Sequence, residues 1–255
     1  MKLASWNVNS IRQRLSHVQK WLQKEQPDWL FLQEIKCQNA QFPSESFKAL
    51  GYHVIVHGQK AYNGVATLSR HPYKLLHTDL PDLQNTKDHA RYLEIESRGI
   101  HLCNLYLPNG NSGGEEGFQF KMDFINALIK HAQSLLNDKQ NCIFAGDFNI
   151  CPTDSDLTTN ILSSDDALIR PESRKGFYTL LWLGLSDAFR ILHPDTIEYS
   201  FWDYTKAAWQ RNAGLRIDHV LLSAKITEQL KNCWIDKEER AKTQPSDHAP
   251  IVIEF

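Results

Sequence analysis

Five polar groups stand where apolar runs begin or end. Asn7 follows Leu3-Ala4-Ser5-Trp6, and Glu34 follows Trp29-Leu30-Phe31-Leu32-Gln33. Asp147 and Asn149 follow Cys142-Ile143-Phe144-Ala145-Gly146, Asp218 follows Leu215-Arg216-Ile217, and Ser246-Asp247-His248 precedes the last apolar run. Taken singly, each is a catalytic group or an ordinary helix cap or turn former. As a set they have a further use, because strands of one compact domain bring their ends to a common edge where oxygen ligands can converge. Such donors suit magnesium or manganese, and one or two carboxylates such as Glu34 and Asp247 are enough for a cation that keeps several waters. A set of Cys and His ligands for zinc is missing from these groups. Asp218 and His248 could act as a pair in which a carboxylate orients and charges an imidazole to hold a phosphate oxygen, or could share a structural hydrogen bond. There is no G-x-S-x-G elbow, P-loop or G-x-G-x-x-G run. The chemistry these side chains suit is metal-assisted attack of water on phosphorus.

Positioning them requires sheets. Strand-like runs occur at Lys2–Trp6, Trp29–Gln33, His53–His57, Gly64–Ser69, Tyr92–Ile95, Ile100–Tyr106, Cys142–Ala145, Ile217–Leu222 and Ile251–Glu254. Several alternate polar and apolar residues, the pattern of half-buried sheets. Ile11, Leu15, Val18 and Leu22 fall on one helical face ahead of Pro27. A second helix is expected from about Phe118 to Leu136, with Phe124, Leu128, Ala132 and Leu135 at spacings of three and four. Two sheets with flanking helices use both element types, so the expected class is α/β. No linker or repeat divides the chain, and one domain over residues 1–255 is expected. Pro152–Gly176 has little periodicity and is rich in Asp, Ser and Thr, which reads as a long surface loop, either functional or a tolerated insertion.

The composition of the 255 residues, 42% hydrophobic and 23% charged with 12 Gly and 10 Pro, excludes a disordered, collagen-like or coiled-coil chain. No apolar run approaches the roughly 20 residues of a spanning helix. The first ten residues lack a signal peptide's apolar stretch, so the expected compartment is the cytoplasm, away from membranes. Cys37, Cys103, Cys142, Cys151 and Cys233 include no CxxC pair, and neither a disulfide framework nor a structural zinc site is expected. The formal charge of −2 means that a polyanion would have to be met by a local basic patch. Between Ser200 and Arg216, Phe201, Trp202, Tyr204 and Trp209 are interleaved with Lys206, Arg211 and Arg216. That mixture suits base stacking and phosphate contact, or else an aromatic core flanked by solvated charges.

Seven motifs add to this reading: SWNVNSIR (5–12), LQEIK (32–36), YNGVATLSR (62–70), NLYLPNG (104–110), GDFNI (146–150), GLRIDHVLLS (214–223) and PSDHAPIV (245–252). By these motifs, in this order from Met1 to Phe255, the chain resembles the exonuclease III family of DNA repair nucleases, within the endonuclease/exonuclease/phosphatase superfamily. The resemblance implies a four-layered α/β sandwich, two packed mixed β-sheets flanked by helices. It implies a Mg2+ (or Mn2+)-dependent phosphodiesterase that incises duplex DNA 5′ to abasic sites and trims 3′ ends, working as a monomer. Glu34 would be the principal metal ligand, supported by Asn7, with Asp247 near the metal or a second one, and Asp147, Asn149 and His248 around it. Asp147 would deprotonate the attacking water, Asn149 would stabilise transition-state oxygens, and Tyr106 would face the same phosphate. Asp218 and His248 would polarise a non-bridging oxygen. Phe201, Trp202, Leu215 and Ile217 would shape a pocket for a flipped-out abasic sugar, and Asn9, Tyr62, Arg91, Lys121 and Arg216 would contact DNA or line the cleft. Family members often carry Lys-Phe-x-Tyr-Lys where this chain has Gly117-Phe118-Gln119-Phe120-Lys121, so backbone affinity is expected to be weaker there.

Two other readings keep the same fold. One moves the chemistry to an inositol phosphate, a sphingolipid or RNA, which fold alone does not exclude. The other is a non-catalytic DNA-binding module, whose mark would be loss of a metal ligand or of Asp147. Neither is lost.

Overall fold

The computed structural model describes residues 1–84 and 89–255. The first half of the chain runs β1 (Lys2–Asn7), α1 (Ile11–Glu25), β2 (Trp29–Gln33), α2 (Ser44–Lys48), β3 (His53–His57), β4 (Val65–Ser69), β5 (Lys74–His77), β6 (Tyr92–Ser97) and β7 (Ile100–Tyr106). It continues through α3 (Gly114–Asn137), β8 (Cys142–Asp147), α4 (Pro171–Trp182), β9 (Ser186–Asp187), α5 (Ala188–Leu192), β10 (Asp218–Leu222), α6 (Ala224–Thr227), β11 (Asn232–Ile235) and β12 (Ile251–Glu254). Each of the nine expected runs forms a strand. The strands make two six-stranded mixed sheets, ordered β11-β12-β1-β2-β4-β3 and β5-β6-β7-β8-β10-β9.

The inner faces of the two sheets share one core. Leu3, Trp29, Phe31 and Val65 of the first meet Leu93, Leu102, Ile143 and Val220 of the second. On the outer face of the first sheet, α1 packs Ile11, Val18, Trp21 and Leu22 with Trp6, Leu30 and Leu32. On the outer face of the second, α3 packs Phe124, Leu128, Ala132 and Leu135 with Leu105 and Phe144. Each large apolar side chain so buried is worth about 1.5–3 kcal/mol, which is why these four layers close. The α1 chain turns out at Gln26, whose left-handed φ of 48° precedes Pro27. Helix α3 begins four residues earlier than its apolar stripe indicates, because Glu115 and Glu116 suit the positive end of a helix.

Two features aim the strand ends. In each sheet one central pair is parallel, β1 with β2 and β7 with β8, so those neighbours finish at the same edge. In that register Asn7 stands beside Gln33, and Tyr106 beside Asp147, with Asp218 of antiparallel β10 opposite Asp147. Gln33 Nε2 donates within its own sheet to Ser5 Oγ at 3.0 Å and across to Asn104 Oδ1 of the other sheet at 2.8 Å. This buried amide link fixes the offset of one sheet on the other directly below the converging ends.

The segment Pro152–Gly176 departs from a simple surface loop. A capped 3-10 turn at Asp154–Asp156 opens it, and α4 begins inside it at Pro171, whose fixed φ suits the first helical turn. Hydrogen bonds from Cys151 N to Leu168 O (2.9 Å) and Thr158 N to Gly214 O (3.0 Å) tie its middle to the body. Among the described residues, no helix is long and apolar enough to cross a membrane.

Candidate active site

Gly146 shows how tightly the sheet edge is built. A Cβ there would lie 1.8 Å from the Leu105 carbonyl oxygen, so only glycine lets β8 run against β7 up to Asp147. Beyond the strand ends the chain turns sharply: Asn9, Glu34, Lys36 and Asn149 all have left-handed backbones, with φ between 43° and 52°. Non-glycine residues hold that conformation only where the surroundings fix it, and such strain gathers at functional sites.

The cluster is centred on Glu34, Asp147 and His248, whose ligand atoms lie within 4.8 Å of one another. Asn7 Nδ2 bridges the two carboxylates, at 2.9 Å from Glu34 Oε1 and 3.0 Å from Asp147 Oδ2. Its oxygen accepts from the Asn9 backbone N–H at 3.0 Å. Asn7 therefore orients Glu34 and Asp147, and its oxygen keeps one lone pair beyond the bond from Asn9. Lys36 Nζ lies 2.8 Å from Glu34 Oε2. Burial alone would raise the Glu34 carboxyl, but Lys36 and Asn7 outweigh it and hold it below its usual value.

Asp147 is buried, and its Oδ1 accepts the Asn149 N–H at 2.9 Å. Burial first, then the Asp218 and Glu34 carboxylates, push it up to about 7, against the pull of His248 and Asn7. His248 is buried too; its Nδ1 is 2.8 Å from Asp218 Oδ2 and its Nε2 is 3.8 Å from Asp147 Oδ2. Burial favours the neutral ring, yet Asp218, Asp147 and Asp247 prevail and raise it to about 10. In that state His248 is a hydrogen-bond donor, with its ligand atom within 4.8 Å of those of Glu34 and Asp147. Asn149 gives one amide hydrogen to Leu107 O (2.9 Å) and accepts from Asn109 Nδ2 (3.1 Å) on its oxygen, leaving its second N–H for a ligand.

Two hollows meet at Glu34, Tyr106 and Asn109. One, of about 230 Å³, has an apolar wall of Phe201, Leu215, Ile217, Leu162 and Leu168 opposite Asp147, Asp247 and His248. The other, of about 380 Å³, is lined by Lys36, Tyr62 and Arg91. Arg91 stacks its guanidinium 4.5 Å from the Tyr106 ring centre, and burial first among the causes raises the Tyr106 phenol well above its ordinary value. Asn9 donates to Asp247 Oδ1 at 3.1 Å at the rim.

Three residues expected at the DNA surface lie elsewhere. Lys121 is fully buried, and its Nζ donates to the carbonyls of Asn109, Asn149 and Ala167 at 2.7–3.0 Å. Arg216 is held between Asp156 at 2.7 Å and Asp187 at 2.9 Å. Trp202 is fully buried, with its ring N–H on Asn212 Oδ1 at 3.0 Å, so of the Phe-Trp pair only Phe201 reaches the cavity. The sequence reading also passed over Lys36, Asn109 and Asn111, although LQEIK and NLYLPNG contain the first two, and over Asp166 and Ser200. Ser200 Oγ donates to Asp218 Oδ2 at 2.6 Å, and Asn111 Nδ2 to Asp166 Oδ1 at 3.1 Å on the cavity wall.

Comparison with known proteins bears on this site directly. Residues 4–248 match the model of the Endonuclease/Exonuclease/phosphatase family. The exodeoxyribonuclease III of Haemophilus influenzae is 36% identical, with 100% of each chain covered. A 3′ phosphatase from Neisseria, solved with a product DNA hairpin, superposes with a TM-score of 0.95 at 36% identity, covering 100% of this chain and 99% of that one. For an AP endonuclease from Archaeoglobus fulgidus the TM-score is 0.94 and the identity 33%, with the same coverage. The chain belongs to the Endonuclease/Exonuclease/phosphatase family, and within it groups with exonuclease III and the AP endonucleases.

Proposed function

We propose that this chain is a metal-dependent DNA phosphodiesterase that incises duplex DNA 5′ to abasic sites and removes nucleotides or blocking groups from 3′ ends, leaving a 3′ hydroxyl. The observation that carries this reading is the meeting of Glu34, Asp147 and His248 at the foot of a cavity with one apolar wall. The relatives named for these activities match the chain from end to end, and one was solved with DNA, which supports duplex DNA as the substrate. The protein would act as a single-domain monomer in the cytoplasm.

The donor set fits a hard cation. Four carboxylates, Glu34, Asp147, Asp218 and Asp247, crowd a site where Lys36 and His248 are the near positive charges, and Asp218 Oδ1 is buried without a partner. Glu34 and Asp247 would hold magnesium, which when bound polarises the scissile phosphate and offsets the charge that builds on it. Asp147 takes a proton from the attacking water, and an ionisation near neutrality is the optimum for that task. As the water oxygen bonds to phosphorus, the P–O3′ bond breaks and O3′ leaves with its electron pair, taking a proton from solvent to become the 3′ hydroxyl. His248 Nε2, the spare N–H of Asn149 and the Tyr106 hydroxyl donate to the non-bridging oxygens, pre-aimed donors that strengthen as charge develops. Asn9, Tyr62 and Arg91 line the path of the DNA backbone. The apolar wall of Phe201, Leu215 and Ile217 accepts a sugar without its base and leaves no room for the base of an intact internal nucleotide.

A depurinated supercoiled plasmid tests this reading. Nicking in magnesium, absent with chelator and absent on undamaged plasmid, is the expected result. Hydrolysis of a lipid or inositol phosphate with no nicking would move the same chemistry to another substrate.

A further inference from the structure

From Phe124 to Leu135 the seam between α3 and its sheet is apolar except at one place. Helix α3 lays Phe124, Leu128 and Leu135 against that sheet, and its period puts residue 131 in the same stripe. That residue is a histidine with 9% of its side chain exposed. Facing it are Glu94 of β6 and Cys103 of β7, register partners and both fully buried. A carboxylate, a thiol and an imidazole thus stand on three elements where apolar side chains would pack, and their ligand atoms lie within 4.8 Å of one another.

We propose that Glu94, Cys103 and His131 form a second cation site, apart from the cleft, for a borderline-soft divalent metal of the zinc class. Sulfur, imidazole nitrogen and carboxylate oxygen are zinc's donors, whereas magnesium takes oxygen alone. Glu94 Oε2 faces His131 Nε2 at 2.7 Å and accepts from the Tyr92 hydroxyl at 2.9 Å, hydrogen bonds that hold the carboxylate on the edge where the ion would sit. Glu94 Oε1 is 2.7 Å from His101 Nδ1, the kind of outer contact that orients a ligating carboxylate. Binding releases the Cys103 proton to solvent as the S–H bond gives way to a metal–sulfur bond. Thiolate and carboxylate together then balance the charge of the ion. His77, exposed, sets its ring 5.7 Å from that of His131 and marks the way in. The ligands come from three separate elements without a CxxC pair, which is why spacing in the sequence gave no sign of them.

Cobalt(II) is the probe, added to the full-length protein after chelator treatment. One equivalent should give thiolate-to-cobalt charge-transfer absorption that zinc(II) abolishes. The absorption should be missing in Cys103→Ala and His131→Gln, and require about 10–100-fold more metal in His101→Ala. It should persist in Glu34→Gln, since no cysteine lines the cleft. A wild-type protein without the band at excess cobalt, or a band that survives Cys103→Ala, would overturn the assignment. His131→Gln, altered at the rim of the seam, provides the second variant should Cys103→Ala not fold.

Discussion

His248 Nδ1 stands 2.8 Å from Asp218 Oδ2, and the opposite ring nitrogen faces Asp147 Oδ2 at 3.8 Å. One carboxylate therefore charges the ring and the other lies across the space where a phosphate oxygen would sit. Burial lowers the affinity of His248 for its proton, but Asp218 and the nearby acids raise it to about 10, above the ordinary 6.5 of an imidazole. The imidazolium is accordingly present through neutral pH and is lost as pH rises through the raised value. Asp218→Asn should cut turnover on the order of a hundredfold or more and move the alkaline fall of the pH–rate profile toward neutrality. A profile that keeps its alkaline limb would assign the pair a structural role.

Lys121 leads to a prediction opposite to that of a surface lysine. Its ammonium meets three backbone carbonyls, on the Asn109 turn, on Asn149 and on Ala167 of the cavity wall. Burial lowers it to about 7. Lys121→Met should cost about 1–3 kcal/mol in unfolding through the orphaned carbonyls and reduce turnover, while the salt dependence of DNA binding stays that of wild type. A flatter salt slope would mean a direct phosphate contact.

The wall beneath the cavity rests on charge. Arg216 bridges buried Asp156 and Asp187 at 2.7 and 2.9 Å. Burial would raise the Asp156 carboxyl, but Arg216 outweighs it and holds it far below the usual range. A depressed folded value gives stability that is present above about pH 4, the unfolded value, and is lost as pH falls below it. Arg216→Met should destabilise by about 3–5 kcal/mol at pH 7, because buried Asp187 loses its arginine and Asp156 keeps only Arg190. Denaturant melts should show that deficit shrinking toward pH 4 and below, as the carboxyls protonate; a deficit independent of pH would contradict the assignment.

Much of this was legible in the sequence, and for a physical reason. Buried strands read as apolar runs, so a polar residue closing one is conspicuous, and Asn7, Glu34, Asp147 and Asp218 all do so. What spacing left open was the direction of each donor: Asn7 shows its nitrogen and not its oxygen to the carboxylates. Composition likewise does not separate a solvated cation from one buried on carbonyls, as Lys121 shows, or a stacking tryptophan from a core one such as Trp202. Helix α4 escaped because Phe177 and Leu180 make only a narrow buried stripe, with Trp182 left exposed. Strands β5, β9 and β11 lie at sheet edges and are two to four residues long, too short for periodicity to register.

The most direct test is single-turnover cleavage of two end-labelled duplexes, one with an internal abasic analogue and one with a recessed 3′ end, by wild type and Asp147→Asn. In magnesium, wild type should cut the first on the 5′ side of the lesion and shorten the second. Asp147→Asn should be slower on both by on the order of a hundredfold or more, and chelator should stop every reaction. Cleavage by Asp147→Asn at the wild-type rate, or undiminished activity in chelator, would contradict the account.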